Sequence, residues 1–446
     1  MSIEGDRQGL PDHSKSPGAV VLGGDYRALT VVRSLGRRGI PVWVFPEQQR
    51  IATKSRYAPN SIPLPRADEA AQVDFLLATA QRYGLDGWIL FPTEDTHAAM
   101  LARHRARLQT RFRLFTSSWD TVEIAYDKRA TYQVAERLGV ACPTTHYPKC
   151  RQDLENLACE FPVILKPAVK EGTNRLTRQK AWRIDDRAAL LARYDAACEL
   201  MEADLIMIQE LIPGRGEAQF SYGALCVDGR PLSSIVARRS RQYPIDFGRS
   251  SSFVESVAAP EIEDIARRIL QSIHYTGVIE AEFKYDRRDR RYKLLDLNPR
   301  VWGWHTLAMA EGLDFPYFVW RLAQQLDVPD IRVSPGHRWV RMSTDVMAAA
   351  HEVMSGDLSL PSYIRSLRSP LQHAIFASDD PLPFLLEIPM VSFAKLIERL
   401  DEPKAHPPIP SQPITAAAPL RADKPADLKQ IPVTSPAERA LPTGGH

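Results

Sequence analysis

The sequence contains few cysteines, and those it has are scattered. Only five occur among 446 residues, and no two of them form a CxxC pair. Such spacing argues against a disulfide framework and against a cysteine-based zinc site. An odd number of widely separated thiols is typical of a reduced cytoplasmic protein, so we predict a cytoplasmic location.

Long hydrophobic runs are also missing. No stretch of about 18 apolar residues occurs, so we predict no membrane-spanning helix. The polar segment 1–17 lacks the apolar centre of a signal peptide, and we interpret it as a flexible leader. The net charge is only +3, which gives no electrostatic reason to expect a nucleic-acid partner.

Several common motifs are absent as well. The paired HRD and DFG motifs of protein kinases do not occur together, and there is no GxSxG sequence of a serine hydrolase. The first glycine-rich turn contains only Gly23 and Gly24, so it lacks the GxGxxG fingerprint of NAD enzymes. These glycines either make a tight strand-to-helix turn or place a nucleotide phosphate at the start of the helix.

Alternating strand and helix patterns occupy the N-terminal part of the chain. AVVL (19–22) and PVWVF (41–45) are typical of buried strands, and a glycine turn with an amphipathic helix separates them. WILFPTEDTHAAMLARH (88–104) repeats the order of strand, turn and helix. This alternation predicts an α/β domain with a parallel sheet.

From residue 121 the pattern changes to mixed helices and hairpins. Asp228-Gly229, between two apolar runs, strongly predicts a hairpin turn. A second hairpin is predicted to turn within DRRDR (286–290), which we interpret as a solvated tip and not as a binding patch. This part of the chain is therefore expected to be α+β.

The C-terminal end has a different composition. Residues 401–446 hold ten of the 35 prolines and no aromatic residue. Such a segment cannot bury enough apolar surface to order itself, so we predict a disordered tail. The role of the preceding residues 326–400 is left open.

Polar side chains interrupt an apolar run in KLLDLNPR (293–300). Asp296, Asn298 and Arg300 take alternate positions there, so a strand would direct them to one face. If the second hairpin forms, Glu282 comes to lie opposite the Asp296 region. Two carboxylates and one amide oxygen suit Mg²⁺, although both acids could instead face solvent on an edge hairpin.

Two lysines strengthen the hypothesis of a site. Lys128 opens a helix, where a cation is unfavourable unless an anion lies nearby. Lys166 ends an apolar strand and precedes the polar segment AVKEGTNRLTRQK (168–180), as a phosphate-binding lysine can. Each lysine alone is commonly a surface residue, but with the acid pair they indicate a nucleotide triphosphate.

Taken in chain order, these motifs resemble the ATP-grasp superfamily, and within it the carboxylate–amine ligase-like branch. The likeness to the ATP-grasp domains of carbamoyl-phosphate synthetases and D-alanine–D-alanine ligases covers residues 18–325 and is strongest over 121–305. The motifs that carry it are AYDK with Lys128, VILKP with Lys166, IQELIPGRGE with Glu210 and Glu217, EAEF with Glu282, and LLDLNPR with Asp296, Asn298 and Arg300.

The resemblance implies an order of domains. An N-terminal α/β parallel-sheet domain of the pre-ATP-grasp, Rossmann-like type is expected at 18–120. A two-lobed α+β ATP-grasp domain would follow at 121–325, with a small lobe at about 121–210 and a large lobe at about 211–325. A C-terminal extension would occupy 326–400, before the disordered tail.

The resemblance also implies how ATP would be held. Lys128 and Lys166 would contact its phosphates. Glu210 and the backbone of Leu211 and Ile212 would form the adenine hinge.

The remaining motifs imply ribose and metal contacts. Glu217 would accept hydrogen bonds from the ribose hydroxyls. Glu282, Asp296 and Asn298 would hold one or two Mg²⁺ (or Mn²⁺) ions that bridge the β- and γ-phosphates. Arg300 would stabilise the transferring phosphoryl group or the acyl-phosphate.

Some positions depart from the family pattern. Asp296 stands where many relatives have Glu. Its side chain is one methylene shorter, so a bound metal would lie nearer the strand. Glu280 stands where D-alanine–D-alanine ligases carry a catalytic arginine, so that mechanism is not carried over. The phosphate loop 168–180 has Gly172 as its only glycine, which leaves its contacts open.

An arginine-rich segment suggests a substrate site. Arg239 and Arg241 lie in ARRSRQYPIDFGRSSSF (237–253), and guanidinium groups bind carboxylates through two parallel hydrogen bonds. One of them would bind a substrate carboxylate, unless the segment is only a charged surface connection. The segment WGWH (302–305) is expected to wall the same pocket, with His305 packed and not catalytic.

These features predict an ATP- and Mg²⁺-dependent ligase. It would activate a carboxylate as an acyl-phosphate and pass it to an amine, giving an amide, ADP and phosphate. A bicarbonate-activating enzyme like the carboxylases and carbamoyl-phosphate synthetases is one alternative, and an ATP-binding regulatory protein without turnover is another. The expected partners are small carboxylates and amines, and homo-oligomerisation stays open.

Overall fold

The computed structural model describes residues 16–47, 50–169, 174, 176–177, 180–244, 250–331, 333–368 and 370–390. The predicted tail and nearly all of the predicted leader lie outside these residues. So does most of the predicted phosphate loop 168–180, and its role stays a prediction.

Strands and helices alternate in the N-terminal part of the chain, whereas several strands follow one another directly in the later part. The strands are β1 (Ala19–Leu22), β2 (Val42–Phe45), β3 (Asn60–Ser61), β4 (Ile89–Pro92), β5 (Thr145–His146), β6 (Val163–Pro167), β7 (Trp182–Ile184), β8 (Ile206–Glu210), β9 (Gln219–Val227), β10 (Arg230–Tyr243), β11 (Ser250–Ser256), β12 (Gly277–Asp286), β13 (Arg291–Asn298), β14 (Arg338–Val340) and β15 (Leu371–His373). The helices are α1 (Tyr26–Gly36), α2 (Glu69–Tyr83), α3 (Asp95–Arg103), α4 (Arg105–Leu108), α5 (Trp119–Tyr126), α6 (Lys128–Arg137), α7 (Arg151–Glu155), α8 (Arg187–Cys198), α9 (Pro260–Ser272), α10 (Thr306–Ala310), α11 (Phe315–Ala323), α12 (Met342–Met354) and α13 (Leu360–Ser366). Residues 382–390 are also helical.

The N-terminal strands form the predicted parallel sheet, in the order β3-β2-β1-β4. Every side chain of β1 is buried, as expected for a strand that is covered on both faces. After β1, Gly23 has a φ of +99°, and an added Cβ would lie 2.2 Å from Thr93 Oγ1. Only glycine fits there, which explains the tight turn.

The start of α1 is capped from within the chain. Asp25 accepts hydrogen bonds from the backbone N–H groups of Arg27 and Ala28, at 2.9 and 3.3 Å. Its carboxylate therefore occupies the position that a phosphate would take at this helix start. This geometry favours the tight-turn interpretation of Gly23 and Gly24 over a nucleotide phosphate there.

A second sheet has four antiparallel strands in the order β5-β8-β6-β7. Its apolar core includes Leu165, Ile184 and Ile208, and helix α8 contributes Leu190 to that core. The ends of β6 and β8 carry Lys166 and Glu210.

The largest sheet has seven strands, in the order β13-β12-β9-β10-β11-β14-β15. Both predicted hairpins are present: Val227 pairs with Arg230 across the first turn, and Asp286 pairs with Arg291 across the second. The extension that the sequence left open supplies β14, antiparallel to β11, and β15, parallel to β14.

Residues after β15 return to the N-terminal sheet. Asp380 accepts hydrogen bonds from Arg33 Nε at 2.9 Å and from Ser55 Oγ at 2.6 Å, and these groups are buried. Asp379 accepts one from Tyr57 at 2.8 Å. The extension therefore fastens the N-terminal sheet to the seven-stranded sheet. None of the described helices is long and apolar enough to cross a membrane.

Candidate active site

The second hairpin brings the three predicted metal ligands together. Glu282 of β12 lies directly opposite Asp296 of β13, and Glu280 lies opposite Asn298. Residues opposite each other in antiparallel strands share a face, so the four side chains form one polar cluster. Asn298 Nδ2 donates to Glu282 Oε1 at 2.9 Å and to Glu280 Oε2 at 3.1 Å.

A register shift shapes this cluster. It lies between Glu282 and Phe283, whose partners are Asp296 and Leu294, so Leu295 is the extra residue on β13. Leu294 and Leu297 are fully buried beneath the sheet. A bulge of this kind re-aims side chains, and it places Lys293 on the same face as Asp296 although they are three positions apart.

Both predicted lysines reach the acid cluster. Lys128 Nζ lies 3.2 Å from Asp296 Oδ2. The pKa of Lys166 is lowered to about 7, mainly by burial and then by the positive charge of Lys128, while Asp296 and Glu282 oppose this shift. The two ammonium groups therefore flank the carboxylates that were predicted to bind a metal.

Glu280 is an additional acid of the site. In the sequence it stood out only because it replaces the arginine that D-alanine–D-alanine ligases carry at this position. It is 4% exposed, and it accepts a hydrogen bond from Trp304 Nε1 at 2.8 Å. Burial raises its pKa, and the nearby charge of Glu282 raises it further. The two-residue strand period, which puts it on the face of Glu282, could have identified it.

Arg300 connects the cluster to the N-terminal sheet. Its Nη2 lies 3.2 Å from Asp95 Oδ2, at the start of α3, and 3.5 Å from Asn298 Oδ1. Its Nε is buried, and no acceptor lies within reach among the described residues. The predicted catalytic arginine is therefore next to the acids, and Asp95 is a neighbour that the sequence did not reveal.

The structure separates the two predicted substrate arginines. Arg239 Nη2 lies 3.4 Å from Glu282 Oε2, and its Nη1 donates to Gln219 at 2.8 Å. Arg241 instead makes two 2.9 Å hydrogen bonds with buried Asp345 and stacks on Phe253. Only Arg239 stands beside the acid cluster, so the geometry argues against Arg241 as a substrate ligand.

His305 is packed, as the sequence suggested. It is fully buried, and its Nδ1 lies 2.5 Å from the carbonyl oxygen of Trp302. Burial lowers its pKa to about 4, so the ring is neutral at physiological pH.

A cavity of about 1090 Å³ opens between the four-stranded and seven-stranded sheets. The predicted hinge residues Glu210, Leu211 and Ile212 line it. Glu217 does not line it, although Arg215 and Gln219, two positions before and after it in the sequence, do. Other lining residues are Thr144, His146, Phe161, Pro162, Val163, Gln242, Lys284 and Arg288.

Glu210 is held by three donors at the edge of this cavity. It accepts hydrogen bonds from Lys293 at 2.8 Å, from Arg288 at 2.7 Å and from the backbone N–H of Thr144 at 3.0 Å. Burial would raise its pKa, but these donors outweigh burial and hold the pKa below its usual value.

The tip of the second hairpin is more than a solvated turn. Residues 287–290 are exposed, as predicted. Arg288, however, reaches back to Glu210 and Asp286 and lines the cavity. The interpretation of DRRDR as a solvated tip is therefore wrong for Asp286, which is fully buried, and the absence of a binding patch there stays a prediction.

The predicted donor set fits a hard divalent cation. Among the described residues, no group of three or more His, Cys, Asp and Glu side chains is arranged for metal binding. The predicted set instead combines two carboxylates, Glu282 and Asp296, with the amide of Asn298. Asn298 Nδ2 donates to both glutamates, so its Oδ1, which lies 3.5 Å from Arg300 Nη2, is the atom of this amide that could bind a cation. A set of few protein oxygens suits Mg²⁺, which keeps phosphate and water ligands.

Comparisons with known proteins agree with this geometry. Residues 242–331 match the family model described as carbamoyl-phosphate synthase L chain, ATP binding domain. A D-aspartate ligase of Enterococcus faecium is 22% identical over 321 residues, which cover 67% of this chain and 75% of that protein.

Solved structures share the fold. An L-amino acid ligase from Bacillus licheniformis matches with a TM-score of 0.55 and 19% identity, over 71% of this chain and 77% of that one. The biotin carboxylase domain of a Hydrogenobacter thermophilus 2-oxoglutarate carboxylase, solved with MgADP and bicarbonate, matches with a TM-score of 0.56 and 16% identity, over 71% and 72%. Together with the motif order, these comparisons support a place for this chain in the ATP-grasp superfamily.

Proposed function

We propose that this protein is an ATP- and Mg²⁺-dependent ligase that joins a small carboxylate to a small amine through an acyl-phosphate. The observation that carries the proposal is the cluster of Glu282, Asp296 and Asn298, flanked by Lys128 and Arg300. Such catalysis consists mainly of positioning and of neutralising phosphate charge, and it needs no protein nucleophile. The names of two relatives, a D-aspartate ligase and an L-amino acid ligase, support it.

The phosphate end of the site is assigned to the acid cluster and the two lysines. Glu282, Asp296 and Asn298 would hold the Mg²⁺ (or Mn²⁺), which when bound would neutralise charge on the β- and γ-phosphates. Lys128 and Lys166 would bind the phosphates, and a bound phosphate would favour the protonated form of Lys166.

The base end is assigned to the cavity edge. Because Lys293, Arg288 and the Thr144 N–H already engage the Glu210 carboxylate, the base would be bound mainly by the backbone of Glu210 to Ile212. Glu217 would accept hydrogen bonds from the ribose hydroxyls.

The acid substrate is assigned to the side of the cluster where Arg239 lies. Arg239 Nε and Arg300 Nε are both buried without an acceptor among the described residues, so each arginine has a donor left for a carboxylate or phosphoryl oxygen. We keep Arg300 as the residue that stabilises the transferring phosphoryl group, and Arg239 as the substrate residue. The two-lobed arrangement, the domain borders, the cytoplasmic location and the oligomeric state stay predictions.

Bicarbonate activation is the second candidate. It is favoured by the likeness to a biotin carboxylase domain solved with bicarbonate. Both candidates use the same phosphate end of the site, so they differ only in the acid that is phosphorylated.

The test is phosphate release from ATP and Mg²⁺ in the presence of pooled acids, with and without pooled amines. Acid-dependent release that rises when amines are added is the expected result. Release that depends on bicarbonate alone would favour the carboxylase-like candidate. Tight ATP binding without release under any condition would overturn both and leave the regulatory alternative.

A further inference from the structure

Lys284 of β12 is a buried lysine whose ammonium has no hydrogen bond or ion pair within the described part of the chain. Its cross-strand neighbour Lys293 is equally buried, each being 8% exposed, yet Lys293 contacts Glu210 and Asp286 at 2.8 Å and Asp289 at 3.5 Å. A buried charge without a partner costs free energy, and two lysines directly opposite each other repel. Folding alone therefore does not explain a lysine here.

Lys284 faces the nucleotide-sized cavity. It lines this cavity together with Glu210, Leu211 and Arg288. Gln219 lies opposite it on β9, and the carboxylates of Glu217 and Asp286 attract it. Its ammonium is thus directed toward a space that is large enough for a ligand.

The position of Lys284 along β12 indicates which part of a bound nucleotide would lie nearest to its side chain. Alternate residues of a strand share a face and are about 7 Å apart, so Lys284 is one such step from Glu282. Glu282 marks the phosphate end of the site, whereas Glu210 to Ile212 mark the base end. Lys284 therefore stands between them, below the place where ribose and the first phosphate would lie.

We propose that Lys284 binds the α-phosphate of the nucleotide from the seven-stranded sheet. A lysine ammonium is a compact point charge suited to phosphate, and an anion above Lys284 would relieve both its burial and its repulsion from Lys293. The assignment rests on the proposed ATP-binding function of the cavity, and it adds a phosphate ligand that the motif pattern does not contain.

The test compares AMP with adenosine, which differ only in this phosphate. Binding of each to wild type and to Lys284→Met is measured by calorimetry without Mg²⁺, with the exposed Lys54→Met as a matched control. Loss of one charged hydrogen bond should weaken AMP binding at least about tenfold and leave adenosine binding within about twofold. Lys54→Met should bind both ligands as wild type does.

The melting temperature separates this role from a packing role. Lys284→Met removes a buried, unpartnered charge and keeps an apolar stem, so the ligand-free variant should melt at or above the wild-type temperature. A lower melting temperature together with equal losses for AMP and adenosine would show that Lys284 only packs. The Lys284→Arg variant, which keeps the charge, should retain part of the preference for AMP over adenosine.

The outcomes also separate this inference from the proposed function. A wild-type protein that binds neither AMP nor ATP would refute the function itself. A wild-type protein that binds AMP, with Lys284→Met binding it equally well, would refute only the assignment of Lys284.

Discussion

Lys128 Nζ lies 3.2 Å from Asp296 Oδ2, and this contact joins the start of α6 to the predicted metal-binding acid of β13. An ammonium beside a carboxylate that faces Glu282 offsets the repulsion between two acids. When ATP and a cation occupy such a site, both charges would turn toward them. The contact therefore links the predicted phosphate ligands to the predicted metal ligands in one place.

The acid cluster should be indispensable for turnover but not for folding. Asp296→Asn and Asn298→Ala should each abolish Mg²⁺-dependent phosphate release from ATP, since each removes one of few metal oxygens. The melting temperature of Asp296→Asn should change little, because this side chain is only partly buried, whereas Asn298→Ala should lower it while leaving the protein folded, because the buried amide donates to Glu280 and Glu282. Asp74→Asn, a substitution of an exposed acid far from the cluster, is the matched control. Full activity in both site variants would remove the basis of the metal site.

The two arginines should behave differently when each is replaced by alanine. Arg239→Ala should raise the KM for the acid substrate, because Arg239 lies beside the acid cluster, and it should lower stability less than Arg241→Ala, because its partner Glu282 is less buried than Asp345. Arg241→Ala should lower the free energy of unfolding by about 3–5 kcal/mol, because it leaves Asp345 buried and unpaired.

Urea unfolding and substrate kinetics on both variants check this. A double variant, Arg241→Met with Asp345→Leu, should recover much of the stability, since it removes both charges. A stable Arg241→Ala protein with a raised KM would reverse our assignment.

His305 should make the protein less stable in mild acid. Its pKa is lowered from 6.5 to about 4 in the fold, so between these values the unfolded chain binds more protons. Stability contributed by the neutral ring is present above about pH 6.5 and is lost as the pH falls toward 4, by about 2 kcal/mol between pH 7 and pH 5.

Urea unfolding of wild type and His305→Asn at these two pH values measures the effect. The variant should lose less stability on acidification than wild type. Identical pH dependence in the two proteins would show that His305 is not the responsible group.

The fastening between the C-terminal extension and the N-terminal sheet should depend on Asp380. Asp380→Asn leaves Arg33 buried beside a neutral amide, so the melting temperature should fall clearly. Asp379→Asn, whose ion pair with Arg37 is partly exposed, should have a much smaller effect. Thermal unfolding of both variants tests this prediction. Equal decreases in their melting temperatures would contradict a special role of Asp380 in joining the extension to the N-terminal sheet.

Local patterns were sufficient for several elements. The apolar runs of β1 and β2 with a glycine turn between them predicted parallel strands, because neither run alternates in polarity. Asp228-Gly229 predicted its hairpin because both residues adopt a positive φ there. The alternation of Asp296 and Asn298 predicted a shared face, since the strand period is two.

Other features depended on contacts between distant segments. Arg239 and Arg241 are two residues apart in the same arginine-rich segment, and nothing in the local sequence distinguishes them. A register shift of β10 between them and the docking of Asp345 from α12 send them to different partners. Bulges and long-range packing of this kind leave no local pattern in the sequence.

The sequence alone was enough to predict the parallel N-terminal strands, the two hairpins and a motif order that resembles the ATP-grasp superfamily. These follow from periodicity, turn chemistry and residue order, which are local properties. The folded chain was needed to show that Asp95 contacts Arg300, that Lys284 lines the cavity, and that residues after 326 complete the seven-stranded sheet. These positions depend on which side chains come together when distant parts of the chain pack, and no local sequence pattern specifies such contacts.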